Sequence, residues 1–536
     1  MSTTPTWTDA DASAARALEV WPLDEHNVKL LDAVHPRVWV EPAELPGEYD
    51  LVAIGAGAGG LVSAKQSARR GARSAMISEH LAGGDCLNVG CVPSKALLHC
   101  ARLARQVRAG VSEGLLVGMG DEPHAAARLD FAKVMSRMRR LRAQIAPADS
   151  HEATVAAGAD VFQGRGRFVG PNTIEVNGRA LRFKCAVIAT GGRASVPAGV
   201  EGLAEAPYLT NATLFNLTTL PPRLVVLGAG AVGLEMAQAF ACFGSTVTVL
   251  ARSTPLSGET EAAGAAVRDS LTADGVRFVC NARVTSVHTL GVSSDGELPL
   301  MRVTCSSPDD GGAPLVLECE ALLVATGRTP NVDGLGLEAA GVRYTTERGV
   351  EIDDLAATSN PRVYAVGDCA AGVPRFTHMS GEMAKLVVQN ALFDDKWRLS
   401  TFVVPRCVYT DPEVACVGMS RPEADSKGLA VDAYTTALAH NDRAILDGDA
   451  SGGGFVEVLC KKGTDTIVGA TAVAPHAGDM ISELTLAMKA GIGLEAVGRV
   501  IHPYPTASEA VMGCGLGYVR AHWAKMSGLK RKEADR

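Results

Sequence analysis

Two cysteines close together in the chain are the first candidates for chemistry. Cys86 and Cys91 enclose four residues within the run Gly83-Gly-Asp-Cys-Leu-Asn-Val-Gly-Cys-Val-Pro-Ser-Lys95. Glycines before and inside the pair permit the bend that the short Cα separation of a disulfide requires. A helix is predicted to begin after Cys91, because Pro93 suits a first turn. Since a helix N-terminus stabilises a thiolate, one thiol of the pair is expected to have a lowered pKa.

Two other interpretations of the pair are structural cysteines that stay reduced, and half of a metal site. A metal site needs further Cys or His ligands at short spacing, and the run from 83 to 95 holds none. We therefore expect a redox-active pair and no resident metal ion.

The stretch before the pair predicts a dinucleotide site. An apolar segment, Tyr49–Ile54, leads directly into Gly55-Ala-Gly57-Ala-Gly-Gly60 and a helical segment. In such a turn a pyrophosphate approaches backbone amides at a helix N-terminus. The next short strand, Ser74–Ser78, is followed by Glu79, where a carboxylate would hold a ribose hydroxyl. The alternative is a glycine-rich turn that binds no ligand.

The same pattern then occurs a second time. A predicted strand at 224–227 leads into Gly228-Ala-Gly230-Ala-Val-Gly233 and a helix, and a further strand ends at Leu250. Here Arg252, rather than a carboxylate, stands near the ribose position. Arginine accommodates the 2′-phosphate of NADP, so the second site is predicted to bind NADPH. The alternative is that Arg252 only points into water.

Length and composition indicate a globular protein of three or four domain-sized units. The chain has 536 residues, of which 47% are hydrophobic and 21% charged. The formal charge of −8 and the lack of basic blocks, apart from Lys-Arg-Lys near the end, argue against nucleic-acid binding. No apolar run reaches the roughly 18 residues of a membrane span. The absence of a secretory signal and the scattered cysteines favour a cytoplasmic location.

Three later stretches complete the pattern. Residues 101–146 are predicted to be helical, with their arginines on solvated faces. Ala-Thr326-Gly327 repeats Ala-Thr190-Gly191, and a predicted strand ends at Asp368, whose carboxylate is placed to hold cofactor hydroxyls. From about residue 402 the composition turns to alternating strands, and this last part contains His502-Pro-Tyr504-Pro-Thr-Ala-Ser-Glu509.

Together these motifs resemble the class I pyridine nucleotide–disulfide oxidoreductases, flavoproteins that include dihydrolipoamide dehydrogenase, glutathione reductase and mercuric reductase. The resemblance runs from Glu48 to about Val519. It implies an α/β fold with two Rossmann-like dinucleotide-binding domains, for FAD and NADPH, and a C-terminal α+β dimerisation domain. The implied boundaries are an extension (1–47), an FAD domain in two parts (48–210 and 328–402), an NADPH domain (211–327), a dimerisation domain (403–525) and a tail (526–536).

The resemblance also implies roles by position. Cys91 would be the thiolate beside the flavin and Cys86 the outer, interchange thiol, while Lys95 would lie near flavin N5 and pair with Glu235. Electrons would pass from NADPH through FAD to the Cys86–Cys91 disulfide. The C-terminal motif, with Tyr504 and Glu509, would enter the active site of the partner in a homodimer. The implied cofactor-binding residues are Gly55, Gly57, Gly60, Glu79, Lys95, Thr190, Gly191 and Asp368 for FAD, Gly228, Gly230, Gly233 and Arg252 for NADPH, and Gly327.

One position departs from the pattern of the disulfide-handling members. They carry histidine where this chain has Tyr504, and His502 lies two positions upstream. Histidine carries protons near neutral pH, whereas tyrosine, with a pKa of about 10, does so poorly. At the positions of Tyr504 and Arg252 the chain resembles mercuric reductases. Transient Hg(II) binding at Cys86 and Cys91 is therefore expected. The chain lacks the cysteine pair that mercuric reductases carry at their extreme C-terminus, because its last cysteine is Cys514.

Three functions therefore stand. The first is an NADPH-dependent, mercuric-reductase-like enzyme acting on a thiol-bound metal ion or another small electrophile. The second is dihydrolipoamide dehydrogenase or another reductase of small disulfides, with His502 or water moving the proton. The third is a flavin-containing redox sensor whose cysteines report oxidation without efficient turnover.

Overall fold

The structure is a computed structural model that describes residues 6–116, 129–293, 297–306, 313–393 and 395–526. Residues 527–536 of the predicted tail lie outside this description. The chain forms two compact units. The first contains the described parts of residues 1–228, 239–250 and 282–401, and the second those of 229–238, 251–281 and 402–536.

The described helices range from one turn to six turns in length. They are α1 (Ala12–Ala17), α2 (Glu25–Val34), α3 (Ala58–Arg69), α4 (Gly84–Val89), α5 (Cys91–Ser112), α6 (Phe131–Ile145), α7 (His151–Ala156), α8 (Asn211–Leu214), α9 (Ala231–Phe243), α10 (Glu261–Ala273), α11 (Thr377–Phe393), α12 (Arg421–Ser426), α13 (Asp442–Asp447), α14 (Ala477–Ala490), α15 (Leu494–Val497) and α16 (Glu509–Met526).

Most of the strands are short. They are β1 (Tyr49–Ile54), β2 (Ser74–Ser78), β3 (Asp160–Gln163), β4 (Arg167–Gly170), β5 (Thr173–Val176), β6 (Arg179–Ile188), β7 (Gly192–Ala194), β8 (Arg223–Leu227), β9 (Thr246–Leu250), β10 (Arg277–Val279), β11 (Arg283–Val292), β12 (Pro299–Ser306), β13 (Pro314–Cys319), β14 (Ala321–Val324), β15 (Arg328–Pro330), β16 (Tyr344–Thr345), β17 (Gly349–Val350), β18 (Val363–Ala365), β19 (Pro405–Val408), β20 (Glu413–Gly418), β21 (Val431–Ala437), β22 (Phe455–Lys461) and β23 (Ile467–Ala474).

A parallel sheet forms the centre of the first unit. Its strands follow the order β3-β2-β1-β6, and β18 pairs in parallel with β6. The N-terminal half of β6 pairs antiparallel with β5, and β5 pairs with β4. Residues 51–54 of β1 and all of β2 are buried. Such continuous apolar strands are typical of a parallel sheet covered on both faces. The predicted strands Tyr49–Ile54 and Ser74–Ser78 are confirmed with these bounds.

The strands of the second glycine-rich turn repeat this arrangement. In this part of the first unit β9, β8 and β14 are parallel neighbours in that order. The helix α9 follows β8, as the sequence predicts, and β9 ends at Leu250. A separate antiparallel sheet, β11-β12-β13, also belongs to the first unit.

The second unit is built on an antiparallel sheet of five strands in the order β19-β20-β23-β22-β21. The helices α14 and α16 pack on this sheet, and side chains such as Val458, Leu484 and Val511 form its core. The predicted α/β architecture with a C-terminal α+β domain is therefore confirmed. The described residues contain no helix that is long and apolar enough to cross a membrane.

The N-terminal extension is folded into the first unit. Its helix α2 begins after Asp24, whose carboxylate caps the helix by accepting hydrogen bonds from the His26 and Asn27 amides. Leu30 and Leu31 of this helix are fully buried. The extension therefore contributes to the same core as the first glycine-rich turn.

The prediction for residues 101–146 is wrong in one respect. The region forms α5 and α6, and residues 117–128 between them lie outside the described part. Arg139 and Arg142 of α6 are buried, at 6% and 1% exposure, rather than solvated. They follow Met135 and Met138 on the face of α6 that packs inward, and α2 lies against this helix.

Candidate active site

The two candidate cysteines lie at a break between two helices. Cys86 is within α4, Gly90 ends that helix, and Cys91 is the first residue of α5. A Cβ atom at Gly90 would lie 2.8 Å from the Asp85 carbonyl oxygen, so the break leaves no room for a side chain. The helix predicted after the pair is confirmed, and it places Cys91 at the N-terminus of a helix of 22 residues. We call the segment from Gly84 to Cys91 the redox turn.

The two thiols interact with each other. The pKa of Cys86 is raised, first by its hydrogen bond with Cys91 and then by burial. The sulfur of Cys91 also lies 3.4 Å from the hydroxyl oxygen of Thr377, at the start of α11. Cys86 is half-buried, whereas Cys91 is exposed. The pair therefore has the contact that a dithiol–disulfide couple needs.

Nine of the other eleven cysteines are buried, and Cys280 and Cys407 are half-buried. All thirteen lie in the described part of the chain, and Cys91 alone is exposed. Burial raises the pKa of Cys319 to about 12 and that of Cys514 to about 11. Among the described residues no group of three or more His, Cys, Asp or Glu side chains is placed to hold a metal ion.

An arginine connects the redox turn with a predicted cofactor carboxylate. Arg328 donates to the carboxylate of Asp85, the residue before Cys86, and to the Asp368 carboxylate at 2.7 Å. It also donates to the Gly192 carbonyl oxygen at 2.6 Å. The strand predicted to end at Asp368 ends earlier, at Ala365, and Asp368 lies in a short turn after β18. One guanidinium group thus holds both Asp368 and the start of the redox turn. Arg328 directly follows the predicted Gly327, so its place in that motif was a signal for it.

The first glycine-rich turn has a backbone that only glycine permits. Gly55 has a φ of +109°, and a Cβ atom there would lie 2.3 Å from the Ala189 carbonyl oxygen. A Cβ atom at Gly60 would lie 1.7 Å from the Gly55 carbonyl oxygen. Gly57 precedes α3, whose first amides therefore face the turn. These features fit the pyrophosphate of a dinucleotide such as FAD.

The residues predicted to surround this turn lie on neighbouring segments of the first unit. Glu79 follows β2, is 55% exposed, and contacts Arg165 at 3.4 Å. Thr190 follows β6 and donates to the Asn331 carbonyl oxygen at 2.6 Å. Gly191 has a φ of +68° with open space where a side chain would be. The carboxyl ends of β1, β2 and β6 thus carry the predicted FAD residues at one edge of the sheet.

The second turn repeats the geometry of the first. Gly228 has a φ of +112°, and a Cβ atom there would lie 2.4 Å from the Ala325 carbonyl oxygen. Gly230 has open space around it, and Gly233 lies in the first turn of α9. Arg252 follows β9 and is exposed. The backbone at Gly228 fits a second dinucleotide, and the role of Arg252 at its ribose stays a prediction.

Lys95 and Glu235 are each placed by their own unit. Lys95 lies in α5, one turn after Cys91, and is half-buried. Glu235 lies in α9, is 4% exposed, and accepts a hydrogen bond from the Tyr409 amide at 3.0 Å. Their pairing stays a prediction.

In the C-terminal motif, Tyr504 and His502 each contact neighbouring polar groups. The Tyr504 hydroxyl donates to Asp442 at 2.8 Å, and this bond raises its pKa. His502 lies 3.0 Å from the Val500 carbonyl oxygen through Nδ1 and 3.1 Å from the Glu483 carboxylate through Nε2. Glu509, the first residue of α16, accepts a hydrogen bond from the Thr506 amide at 3.1 Å.

Two side chains near the redox turn were missed in the sequence. Thr377 contacts Cys91, but nothing local marks it, because the two residues are far apart in the chain. Arg142 donates to the Asn88 carbonyl oxygen at 2.5 Å, between the two cysteines. Its signal was its spacing, because Met135, Met138 and Arg142 occupy one face of a helix.

Comparisons with known proteins agree with this geometry. The profile of the pyridine nucleotide-disulphide oxidoreductase family matches residues 49–384, and the profile of that family's dimerisation domain matches residues 404–513. Among solved structures, the HOCl-induced flavoprotein disulfide reductase RclA from Escherichia coli, in its Cu(II) complex, is similar with a TM-score of 0.73 and 25% identity. That comparison covers 87% of this chain and 98% of RclA.

Curated relatives fall into two named groups. A mercuric reductase from Lysinibacillus sphaericus is 32% identical over 89% of this chain and 83% of its own length. A mercuric reductase from Streptomyces lividans is 33% identical over 86% of this chain and 94% of its own. A dihydrolipoyl dehydrogenase from Staphylococcus aureus is 34% identical over 88% and 96%. The chain therefore belongs to the pyridine nucleotide–disulphide oxidoreductase family, flavoproteins that use FAD and NAD(P)H.

Proposed function

We propose that the protein takes electrons from NADPH and delivers them, at Cys86 and Cys91, to a thiol-bound soft metal ion such as Hg(II) or to another small electrophile. The observation that carries this proposal is the C-terminal motif. Tyr504 stands in the place of the proton-carrying histidine and is bonded to Asp442. A substrate that needs no proton from this position suits the site better than a disulfide does.

The residues proposed to bind the cofactors lie in the two glycine-rich turns and in neighbouring segments. Gly55, Gly57 and Gly60 would hold the FAD pyrophosphate, and Glu79 and Asp368 its hydroxyls. The chemistry that bound FAD supplies is hydride acceptance from a nicotinamide and two-electron transfer to sulfur. Arg252 would hold the 2′-phosphate of NADPH, which favours that nucleotide over NADH.

The two cysteines would have different tasks. Cys91 begins a long helix, where the positive end of the helix dipole stabilises a thiolate. Cys86 would be the interchange thiol that meets the substrate, as the family resemblance implies, and it would do so as the thiolate. Lys95, paired with Glu235, would place a cation that stabilises developing negative charge near Cys91. Soft thiolates bind soft metal ions well, so the reduced pair is a suitable transient ligand set.

Both candidate substrates consume one proton per NADPH, and they differ in whether that proton must be delivered at the active site. Reduction of a disulfide by NADPH breaks the S–S bond, and the leaving thiolate must take up a proton. Reduction of Hg(II) held by two thiolates breaks two Hg–S bonds, and the metal itself accepts both electrons. Its thiolates are then protonated by solvent after release. Overall, NADPH, one proton and the dithiolate complex give NADP+, the zero-valent metal and two thiols.

The runner-up is reduction of small disulfides, which the dihydrolipoyl dehydrogenase relatives favour. Here His502 or water would move the proton. We also propose that the protein is a homodimer, because its C-terminal part matches the family's dimerisation domain. Sedimentation should then give twice the chain mass of 55.7 kDa.

The test is NADPH consumption with Hg(II) in excess small thiol, compared with lipoamide and glutathione disulfide. The metal should be reduced faster than either disulfide. Tyr504→His should raise disulfide reduction by about 10²-fold, within the range of general acid–base catalysis, and lower metal reduction. Tyr504→Phe is the matched control and should not raise disulfide reduction. Rapid lipoamide turnover by the parent protein, with no response to Hg(II), would support the runner-up instead.

A further inference from the structure

The N-terminal extension ends where the family match begins, at residue 49, yet it reaches the redox turn. Three buried residues form a line between them. The Asn27 side-chain oxygen accepts from Arg142 Nη2 at 2.7 Å, and Arg142 Nη1 donates to the Asn88 carbonyl oxygen at 2.5 Å. Asn27, Arg142 and Asn88 are 0%, 1% and 2% exposed. Asn88 lies between the two cysteines.

Residues of the extension orient these hydrogen bonds. The Asn27 side-chain amide donates to the Pro22 carbonyl oxygen at 2.7 Å, which turns its oxygen toward Arg142. Asp24, which caps α2, accepts from Arg139 at 2.6 Å. Burial lowers the pKa of Arg142 to about 10, so the guanidinium is charged at neutral pH. A buried cation depends on its few polar partners, and Asn27 supplies one of them.

A second path runs from the other end of α2 to the same residue. The Val34 carbonyl oxygen, at the end of α2, accepts from the Ala82 amide at 2.9 Å. The Ala82 carbonyl oxygen in turn accepts from the Asn88 side-chain amide at 2.9 Å. Both ends of α2 thus fix Asn88, one through its carbonyl oxygen and one through its side chain. Leu87, its neighbour, is buried in the core that Leu30 and Leu31 share.

We propose that the extension is a brace of the redox turn, in which Asn27 is a positioning residue that acts on Cys86 and Cys91 through Arg142 and Asn88. The Asn88 carbonyl lies in the last turn of α4, so its direction sets how α4 meets the break at Gly90. That geometry fixes how Cys86 faces Cys91. The proposal deepens the proposed function, because it rests on Cys86 and Cys91 being the redox couple.

The test measures the couple itself in the FAD-loaded full-length protein. In a dithiothreitol buffer, the protein disulfide and dithiothreitol exchange to the protein dithiol and oxidised dithiothreitol. Mass spectrometry of the peptide with both cysteines, after alkylation, gives the equilibrium constant. The pH profile of iodoacetamide alkylation of the reduced protein gives a second readout, independent of turnover.

Asn27→Ala should change this equilibrium constant about tenfold, the size expected for losing one hydrogen bond to a charged group, and shift the alkylation profile. The control Lys29→Ala lies on the same helix, where Lys29 is exposed and pairs with exposed Glu25 at 3.7 Å, and it should change neither. Asn27→Asp keeps the acceptor toward Arg142 but turns an oxygen toward the Pro22 carbonyl. It should lower the melting temperature and leave the equilibrium constant within about twofold of the parent value.

These variants separate a brace from a merely structural role. If the redox readouts follow the melting temperature across the variants, or if folded Asn27→Ala behaves like the parent, the brace is refuted. If Asn27→Ala does not fold, Asn27→Asp decides, since a change of its equilibrium constant beyond about twofold refutes the brace. If the parent protein forms no Cys86–Cys91 disulfide in the oxidised buffer, the proposed function fails instead.

Discussion

The two glycine-rich turns have almost the same backbone but different surroundings. Gly55 and Gly228 have φ values of +109° and +112°, and each first glycine faces a carbonyl oxygen, of Ala189 or Ala325. The Gly55 amide donates a hydrogen bond to the Ile77 carbonyl oxygen, and the Gly228 amide donates to the Leu250 carbonyl oxygen, at 2.9 Å in both cases. The backbone therefore predicts a dinucleotide at both sites without distinguishing them.

The difference lies at the fifth position of each turn. In the first turn a Cβ atom at Gly59 would lie 2.7 Å from both the Ser380 hydroxyl and a methyl of Val366. In the second turn this position is Val232, and it is 49% exposed. The first helix start is thus enclosed by packed side chains, whereas the second is open. An enclosed site suits a cofactor that stays bound, and an open one suits a nucleotide that exchanges at each turnover.

Exchanging the fifth residues should give the largest effect. Gly59→Val should force the packing apart, which costs about 1–3 kcal/mol or more of stability, and yield protein with little bound FAD. Val232→Gly, the mirror change, should leave the FAD content at one per chain. Absorbance of the purified proteins and their thermal unfolding measure both effects. Parent-like FAD content in Gly59→Val would contradict the enclosed-site interpretation.

The second-largest expected effect is a change in nucleotide preference. Arg252→Glu places a carboxylate at the ribose position, as Glu79 is placed in the first site. The ratio of kcat/KM for NADPH to that for NADH should fall by about 10–100-fold, the size of one or two charged contacts. Arg268→Glu, at an exposed arginine of α10 in the same unit, is the control and should leave the ratio unchanged. Equal kcat/KM values for both nucleotides in the parent would refute the assignment of Arg252.

A smaller effect is expected for the carboxylate of the first site. Glu79→Gln should weaken FAD binding about tenfold by removing a charged acceptor, without changing the KM for NADPH. The variant also loses the surface ion pair with Arg165. Glu351→Gln loses a similar exposed pair, with Arg343 at 2.9 Å, and controls for that loss. FAD titration of the apoproteins measures the change. Equal weakening of FAD binding in both variants would refute the assignment of Glu79 to the FAD site.

Mild acid should cause a small loss of stability through one buried histidine of the first unit. His151 is fully buried against Trp39, and neither ring nitrogen has a hydrogen-bond partner among the described residues. Burial lowers its pKa from 6.5 to about 4. The unfolded chain therefore binds the proton first, so stability is complete above pH 6.5 and falls as the pH drops toward 4.

Between pH 7.5 and 6.0 this loss is about 1 kcal/mol. His151→Phe, which keeps an aromatic ring beside Trp39, should remove that part of the pH dependence. Thermal unfolding at the two pH values measures it. A parent-like slope in the variant would show that other groups cause the acid sensitivity.

The sequence predicted the backbone of the sites well because local patterns determine it. Short apolar runs located β1 and β2 with their observed bounds, and Gly90 with Pro93 located the bend and the helix that follows it. The short helix α4, which contains Cys86, was not predicted. The side-chain partners were not predictable in the same way. Thr377 reaches Cys91 from a distant segment, and the burial of Arg142 depends on a helix of the extension that covers it.

The pairing of β6 determines the order in which the two sites are completed during synthesis. β1 pairs with residues 183–188 of β6, and β6 pairs with β18, which ends at Ala365. The strand beside β8, in contrast, is β14, which ends at Val324. The nascent chain therefore closes the strands of the second site first, while the apolar edge of β6 waits for β18. Because unpaired edges promote aggregation during folding, the edge of β6 is the one that stays unpaired for longer as the chain is made.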